Sequence, residues 1–291
     1  MIDESARAAT PPRPGGRPVD EPRPPREPPP VRDVDADRRF RERARHYGWD
    51  PDEKFVGGYV TWEWEHSRYL FDDLFTDVKG KRVLEFGCHF GGTAIVLAAL
   101  GAEVTALDVD MQYIELSRLN IERHGLAARI STLHVPDTTK LPFEDASFDL
   151  ISCNSVLEYI PRDILGTVQR ELDRILAPGG LVVILGTSNR LWPRETHSKR
   201  WLMNYVPTSL RHFFPGKPIE SVSPWRLRSG FPGYTDLTLQ GGGRLIVDLK
   251  ARTGASGLRR RGLEVANRCL TPLGMHVGFI SPSITLVLRK P

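Results

Sequence analysis

From Arg82 to Leu185 the chain alternates short apolar runs with amphipathic stretches, and this rhythm limits the folds open to it more than any other feature. Arg82–Phe86 reads as a strand, 92–100 as an Ala/Leu-rich helix, 103–107 as a strand and 111–124 as a helix. Strands follow at 128–134 and 148–153, then a helix at 162–176 and a strand over Leu181–Leu185, after the Pro178-Gly179-Gly180 turn. Strands separated by helical stretches build βαβ units, hence an α/β fold whose doubly wound sheet is covered by helices on both faces. No repeat of fixed period appears.

The flanks differ in composition. Ten of the 24 prolines fall within residues 1–30, and no aromatic residue precedes Phe40. Such a segment buries too little apolar surface to offset its conformational entropy, so residues 1–38 read as a disordered Pro/Arg-rich tail. Residues 39–79 then bring a run of aromatics, and their spacing between Trp62 and Phe75 predicts a helix over 58–76 that caps the sheet. The division continues as a ligand-binding core at 80–188, an insertion or lid at 189–250 holding a strand near Tyr234–Leu239, and 251–291 with a helix to about Leu270 and a closing strand at Ile284–Leu288.

Composition excludes several classes. No apolar run approaches the length of a membrane span and no secretory signal pattern is visible, so a cytoplasmic location is expected. Cys88, Cys153 and Cys269 are odd in number and far apart, without Cys-x-x-Cys or other metal-ligand spacing, so neither a disulfide scaffold nor a metal site is expected. A formal net charge of +4 over 291 residues does not point to nucleic acid.

In an open α/β sheet a ligand sits beyond the carboxyl ends of the strands, near the switch point of the winding. The first strand leaves through Glu85-Phe86-Gly87-Cys88-His89-Phe90-Gly91-Gly92-Thr93, whose glycines permit a tight turn and close approach to backbone amides. The second strand ends at Asp108, 17 residues after Gly91, where a carboxylate can accept both hydroxyl protons of a ribose. Together these features point to a nucleoside ligand.

Four blocks in order carry a closer likeness: Val83 to Gly91; Val104 to Asp108; Asp137-Thr138 followed by Leu141-Pro142-Phe143 and Ser147-Phe148-Asp149; and Leu172 to Gly180. On these the sequence resembles the class I S-adenosylmethionine-dependent methyltransferases, particularly the small-molecule branch that includes the quinone-biosynthesis enzymes. The resemblance implies a seven-stranded Rossmann-like sheet of order 3-2-1-4-5-7-6 and S-adenosyl-L-methionine as cofactor. It further implies that Glu85 and the loop of Gly87, Cys88, His89 and Gly91 hold the methionine part. Asp108 is then the ribose ligand, Val109 packs on the adenine, Asp137 and Thr138 meet the adenine edge, and Asn154 lines the methyl-transfer channel. One departure stands out, because His89 occupies a position where the family usually has glycine. With ordinary backbone angles it would leave the loop intact while crowding the methionine pocket, and it could bring an imidazole beside the sulfonium.

Methyl transfer asks mainly for alignment, and a general base is needed only where the acceptor must lose a proton. His89, Glu158 and His197, with His134, are the candidates. Each also has a plainer reading: His134 ends a strand, Glu158 starts a helix facing solvent and His197 sits in a loop. Residues 189–235 carry eight aromatics, among them Trp192 and Phe214, and eight cations, including Arg211 and Lys217, against two acids. Such a wall suits a small-molecule acceptor of anionic or amphipathic character. Asn189, Arg190, Trp192, Arg194 and Arg200 are the expected substrate contacts. Nucleic acid is not expected as a partner, and peripheral membrane contact is not favoured. The alternatives left open are an RNA or protein methyltransferase and a non-catalytic binder of the same cofactor.

Overall fold

A computed structural model describes residues 27–71, 78–197, 199–207, 210, 213 and 221–291. Seven strands form one sheet in the order β3-β2-β1-β4-β5-β7-β6. Their ranges are β1 Arg82–Phe86, β2 Glu103–Asp108, β3 Ile130–His134, β4 Phe148–Asn154, β5 Leu176–Ser188, β6 Thr235–Asp236 and β7 Ser283–Arg289. β1 to β5 pair in parallel, and β7 runs antiparallel to both β5 and β6. The helices are α1 Val34–His46, α2 Tyr59–His66, α3 Gly92–Ala99, α4 Met111–Arg123, α5 Arg162–Ile175, α6 Pro224–Ser229, α7 Gln240–Arg252 and α8 Gly257–Leu270.

The two-residue period of a strand sends alternate side chains to opposite faces. On β1, Val83 joins the core beneath α2, α3 and α4, whereas Leu84 and Phe86 join the core beneath α5 and α6. Glu85 shares Val83's face. On β4 the alternation puts Leu150 on that face and Ile151 and Cys153 on the other. Because Glu85 pairs directly with Ser152, Glu85, Ser152 and Asn154 emerge together on the α2/α3 side at the carboxyl ends. The chain turns back at this point, with β2 and β3 on one side of β1 and β4, β5 on the other, so the crevice lies between β1 and β4.

The N-terminal boundary differs from expectation. Of the residues expected in a disordered tail, 1–26 lie outside the described residues, whereas 27–38 are described and include the start of α1. Asp33 caps α1 by accepting from the Ala36 N–H at 2.9 Å, and Asp35 and Asp37 place negative charge in its first turn. The backbone amides of Arg32 and Asp33 both donate to the Arg123 carbonyl. Proline content hides this helix, because the prolines end at residue 30, just before the capping signal.

Further differences are local. The helix expected over 58–76 starts as α2 and is interrupted at Ser67, after which helical turns resume over 68–71; residues 72–77, with Leu74 and Phe75, lie outside the described residues. Leu70 and Phe71, in these resumed turns, reach the core beyond α2. The sixth strand is only two residues, because Thr238 folds back on Asp236, its N–H donating to Oδ1 at 3.0 Å. α7 had no counterpart in the sequence reading: Gly241, Gly242 and Gly243 take left-handed angles at its start and mask the helical pattern that follows.

Arg123 fastens α1 across α4. It is almost fully buried, donating to Asp37 Oδ1 at 2.8 Å, Asn120 Oδ1 at 2.7 Å and the Gly57 carbonyl at 2.8 Å, with its guanidinium 4.1 Å from the centre of the Phe40 ring. Arg123→Ala strands these acceptors and should lower unfolding free energy by about 3 kcal/mol, measured by urea denaturation, with early proteolysis in 34–46.

Candidate functional site at the carboxyl edge of the sheet

The loop after β1 is held in shape by three left-handed residues. Gly87 and Gly91 have φ of +75° and +76°, and a Cβ on Gly87 would come within 2.3 Å of the Val156 side chain. His89 is the third, with φ +49°. Its backbone angles are therefore not ordinary, and the histidine holds a left-handed turn at a strain of about 1–2 kcal/mol. Its N–H donates to Asp108 Oδ2 at 2.9 Å. Its ring lies against Phe90 and Tyr113, at centroid distances of 3.7 and 4.4 Å, with Tyr59 and Trp49 edge-on beyond. Burial lowers its pKa to about 4, so the imidazole is neutral and a weak proton acceptor at neutral pH.

Asp108 is 7% exposed at the end of β2. Besides the His89 amide it accepts from the Asp110 N–H through Oδ1 at 3.0 Å, so both oxygens are oriented while each keeps accepting capacity. Val109 and Met111, large apolar residues that are half exposed, follow at once. The loop after β3 is drawn alongside when the Val135 N–H donates to the Asp108 carbonyl. There Asp137 is exposed and forms a turn with Thr139, whose N–H and Oγ1 donate to Oδ1 at 2.9 and 2.6 Å. These bonds hold the Asp137 carboxyl below the usual range. His134 Nε2 lies 3.0 Å from the Val109 carbonyl, bracing this wall. Cys88 is buried and its thiol is pushed up by burial, which makes it packing.

At the other end of the crevice Glu85 is buried, and its Oε2 has no hydrogen-bond partner. Burial raises its pKa well above the ordinary carboxyl range, with Glu63 adding to the effect. Asn154 Nδ2 donates to Thr93 Oγ1 at 3.0 Å. Thr93 and Tyr59, which fills the space beside Gly92, were not foreseen; the Gly91-Gly92-Thr93 run at the start of α3 carried a signal for the first, and nothing local did for the second.

Glu158 and His197 meet, although 39 residues separate them. Glu158 is 0% exposed, where a solvent-facing position was expected, because the short turn at Leu157–Tyr159 tucks it under the end of β5. Its Oε1 accepts from the Ser188 N–H at 3.2 Å and lies 3.2 Å from His197 Nε2. Tyr159 Oη is 3.3 Å from His197 Nδ1, and the Glu195 carboxylate accepts the His197 backbone N–H at 3.0 Å. The Glu158 contact raises the pKa of His197 above 6.5.

The expected acceptor contacts divide. Asn189 is fully buried, donating to the carbonyls of Phe279 and Ser281 at 2.7 and 2.8 Å and accepting from Leu191; its side chain is scaffold, not a substrate contact. Arg190 keeps a buried Nη1 without a hydrogen-bond partner. Trp192 is partly exposed, Arg194 donates through Nε to the Lys199 carbonyl at 2.9 Å, and Arg200 takes the Glu195 N–H on its carbonyl. Arg211, Phe214 and Lys217 lie outside the described residues.

Residues 84–184 match the family described as Methyltransferase domain. Over 187 residues the chain is 35% identical to the ubiquinone biosynthesis O-methyltransferase of Xanthomonas oryzae pv. oryzae, covering 55% of this chain and 74% of that protein. The chain belongs to the class I S-adenosylmethionine-dependent methyltransferases. It is also 34% identical over 142 residues to methyltransferase GfsG of Streptomyces halstedii, covering 48% and 49%, and 36% identical over 104 residues to an uncharacterized protein of Haemophilus influenzae, covering 35% and 41%. For these two the chain spans less than half of the relative's length. Among solved structures, the YcgJ protein of Bacillus subtilis superimposes with a TM-score of 0.45 at 16% identity, covering 80% of this chain and 96% of that one.

The residues of this methyltransferase fit its cofactor, S-adenosylmethionine. The orphaned Glu85 oxygen suits an ammonium, the oriented Asp108 carboxylate a vicinal diol, and the exposed apolar surface of Val109 and Met111 a flat heterocycle. Charge-assisted hydrogen bonds contribute roughly 1.5–3 kcal/mol each. Asp108→Ala should therefore weaken S-adenosylhomocysteine binding by about tenfold or more in calorimetry, while the melting curve still shows a folded protein.

Proposed function

We propose that this methyltransferase methylates an oxygen of a small, amphipathic acceptor, with the Glu158–His197–Tyr159 constellation receiving the acceptor's proton. The observation that carries the reading is the meeting of Glu158 and His197 at the ends of β4 and β5. A methyl donor with a positive sulfur supplies the electrophile when bound; the protein's work is to align the acceptor and remove its proton. A proton acceptor is useful for a hydroxyl and superfluous for an amine that already has a free lone pair.

With Glu158 taking the Nε2–H, the Nδ1 lone pair of His197 faces the Tyr159 hydroxyl. Tyr159 can then pass a proton inward to Nδ1 while accepting one from the acceptor. Its own pKa is pushed up by burial and by Glu158, so it stays neutral and serves as a relay. The Glu158 carboxylate stabilises the imidazolium that results.

Apolar surface on the chain after β5 supports an amphipathic acceptor. Leu202, Tyr205, Val206, Pro207, Leu210 and Phe213 line a hollow of about 570 Å³. Tyr205 Oη ties this hollow to the chain after β5 by donating to the Leu191 carbonyl at 2.8 Å. The unpaired Nη1 of Arg190 offers a donor for an anionic substituent. The printed name of the Xanthomonas relative, an O-methyltransferase of ubiquinone biosynthesis, agrees with an oxygen acceptor on a molecule having an apolar body. Among the described residues no helix is long and apolar enough to cross a membrane.

His197→Gln should lower turnover of a phenolic acceptor by about a hundredfold, with S-adenosylhomocysteine affinity unchanged by calorimetry. Protonated His197 cannot accept a proton, and Glu158 raises its pKa, so wild-type kcat should climb with pH through a midpoint above 6.5. Glu158→Gln removes the charge that raises it, and the midpoint should move down. Equal turnover of wild type and His197→Gln across a panel of hydroxyl acceptors would discard the role.

A further inference from the structure

Two buried carboxyls share one polar nest, and they come from distant parts of the chain. Glu85 is on β1, whereas Glu63 is on α2, outside the matched 84–184 segment. Asn154 joins their surroundings, since its Nδ2 donates to Glu63 Oε2 and to Thr93 Oγ1, both at 3.0 Å, and the Thr93 hydroxyl bears on Glu85. Ser67 donates to the same Glu63 oxygen and the Tyr59 hydroxyl also bears on that carboxyl. Both glutamates are more than nine-tenths buried, and Glu85 Oε2 is left without a donor.

Neighbouring buried carboxyls repel when both ionise, and each Glu here is raised by burial, Glu85 further by Glu63. A partner that carries positive charge and several N–H donors relieves the repulsion and fills the orphaned oxygen together. An ammonium has three donors and fits between two carboxylates. A lone carboxylate would suffice for one such bond; the second, delivered by a helix of the N-terminal segment, makes the nest selective for a cation.

We infer that Glu63 and Glu85 jointly seat the α-ammonium of the cofactor's methionine end, which makes α2 part of the cofactor site and not only its cover. The inference rests on the cofactor reading given above. Bound ammonium would also fasten α2 to β1 and β4 through Glu63 and Asn154.

The test is calorimetry on the full chain with two ligands: S-adenosylhomocysteine, and its deaminated analogue, which keeps the adenosine, thioether and carboxylate. Glu63→Gln preserves shape and an accepting oxygen for Asn154 while removing the charge. It should lose about tenfold or more in affinity for S-adenosylhomocysteine, the scale of a charge-assisted bond, and bind the analogue as wild type does. Unchanged affinity for S-adenosylhomocysteine overturns the inference. So does an equal loss for both ligands, which is what a purely structural lock on α2 would produce. A failure of the cofactor reading looks different, because wild type itself then binds neither ligand, and the inference falls with it. Should Glu63→Gln not fold, Glu63→Asp, which keeps the charge but withdraws it, is expected to show the same selective loss; an equal loss for both ligands again overturns the inference.

Discussion

Parallel pairing of β1 with β4, in the register that sets Glu85 opposite Ser152, is the constraint on which the rest of this molecule depends. Parallel strands present all their carboxyl ends on one edge, so the loops that leave them converge. Register then decides which side chains share a face. A slip of one residue would send Glu85 into the apolar layer beneath α5, among Leu84 and Phe86's neighbours, and would separate it from Asn154. The His89 N–H bonded to Asp108 carries the same logic across the edge, joining the exit of β1 to the end of β2.

The N-terminal segment is integral to this edge. α1 lies along α4 through Arg123 and Phe40, and the chain returns over α3 to bring Tyr59 against Gly92 and Glu63 against Asn154. This arrangement concentrates unfavourable features in one place: a left-handed histidine, an orphaned carboxylate oxygen and two raised carboxyls. Strain and unmet polar groups persist only where surrounding structure over-determines them, and they cluster where a ligand offsets their cost. The opposite wall is simpler, being made of Glu158, His197 and Tyr159, with Glu195 and Ser188 orienting them.

Much of the fold was legible. Helical and two-residue periodicities put four strands and three helices of the core within a few residues of their places, because each element buries a face whose spacing its own sequence repeats; the fifth strand, read as Leu181–Leu185, runs from Leu176 to Ser188 and takes in the Pro178-Gly179-Gly180 stretch that was read as a turn. The Gly87 loop and Asp108 were legible because a tight turn and a strand-end acid need particular residue types. Glu158 was misplaced to solvent, since its burial comes from β5 lying above it and no local pattern records that. Asn189 looked like a contact by position, yet its amide is consumed by carbonyls 90 and 92 residues away. α1 was hidden by the prolines before it, and α7 by its three glycines.

What the sequence by itself determined is therefore the layered sheet, the turn at Gly87, the acid at Asp108 and the family, since each is written in local spacing that a strand or a turn must obey. The tertiary structure alone decided that Glu63 stands beside Asn154, that His197 meets Glu158 and that His89 is wedged against Tyr113. Those meetings join residues far apart in the chain or from separate elements. Only the packing of whole helices and loops against the sheet, driven by burial of surface that does not encode a partner, brings them together.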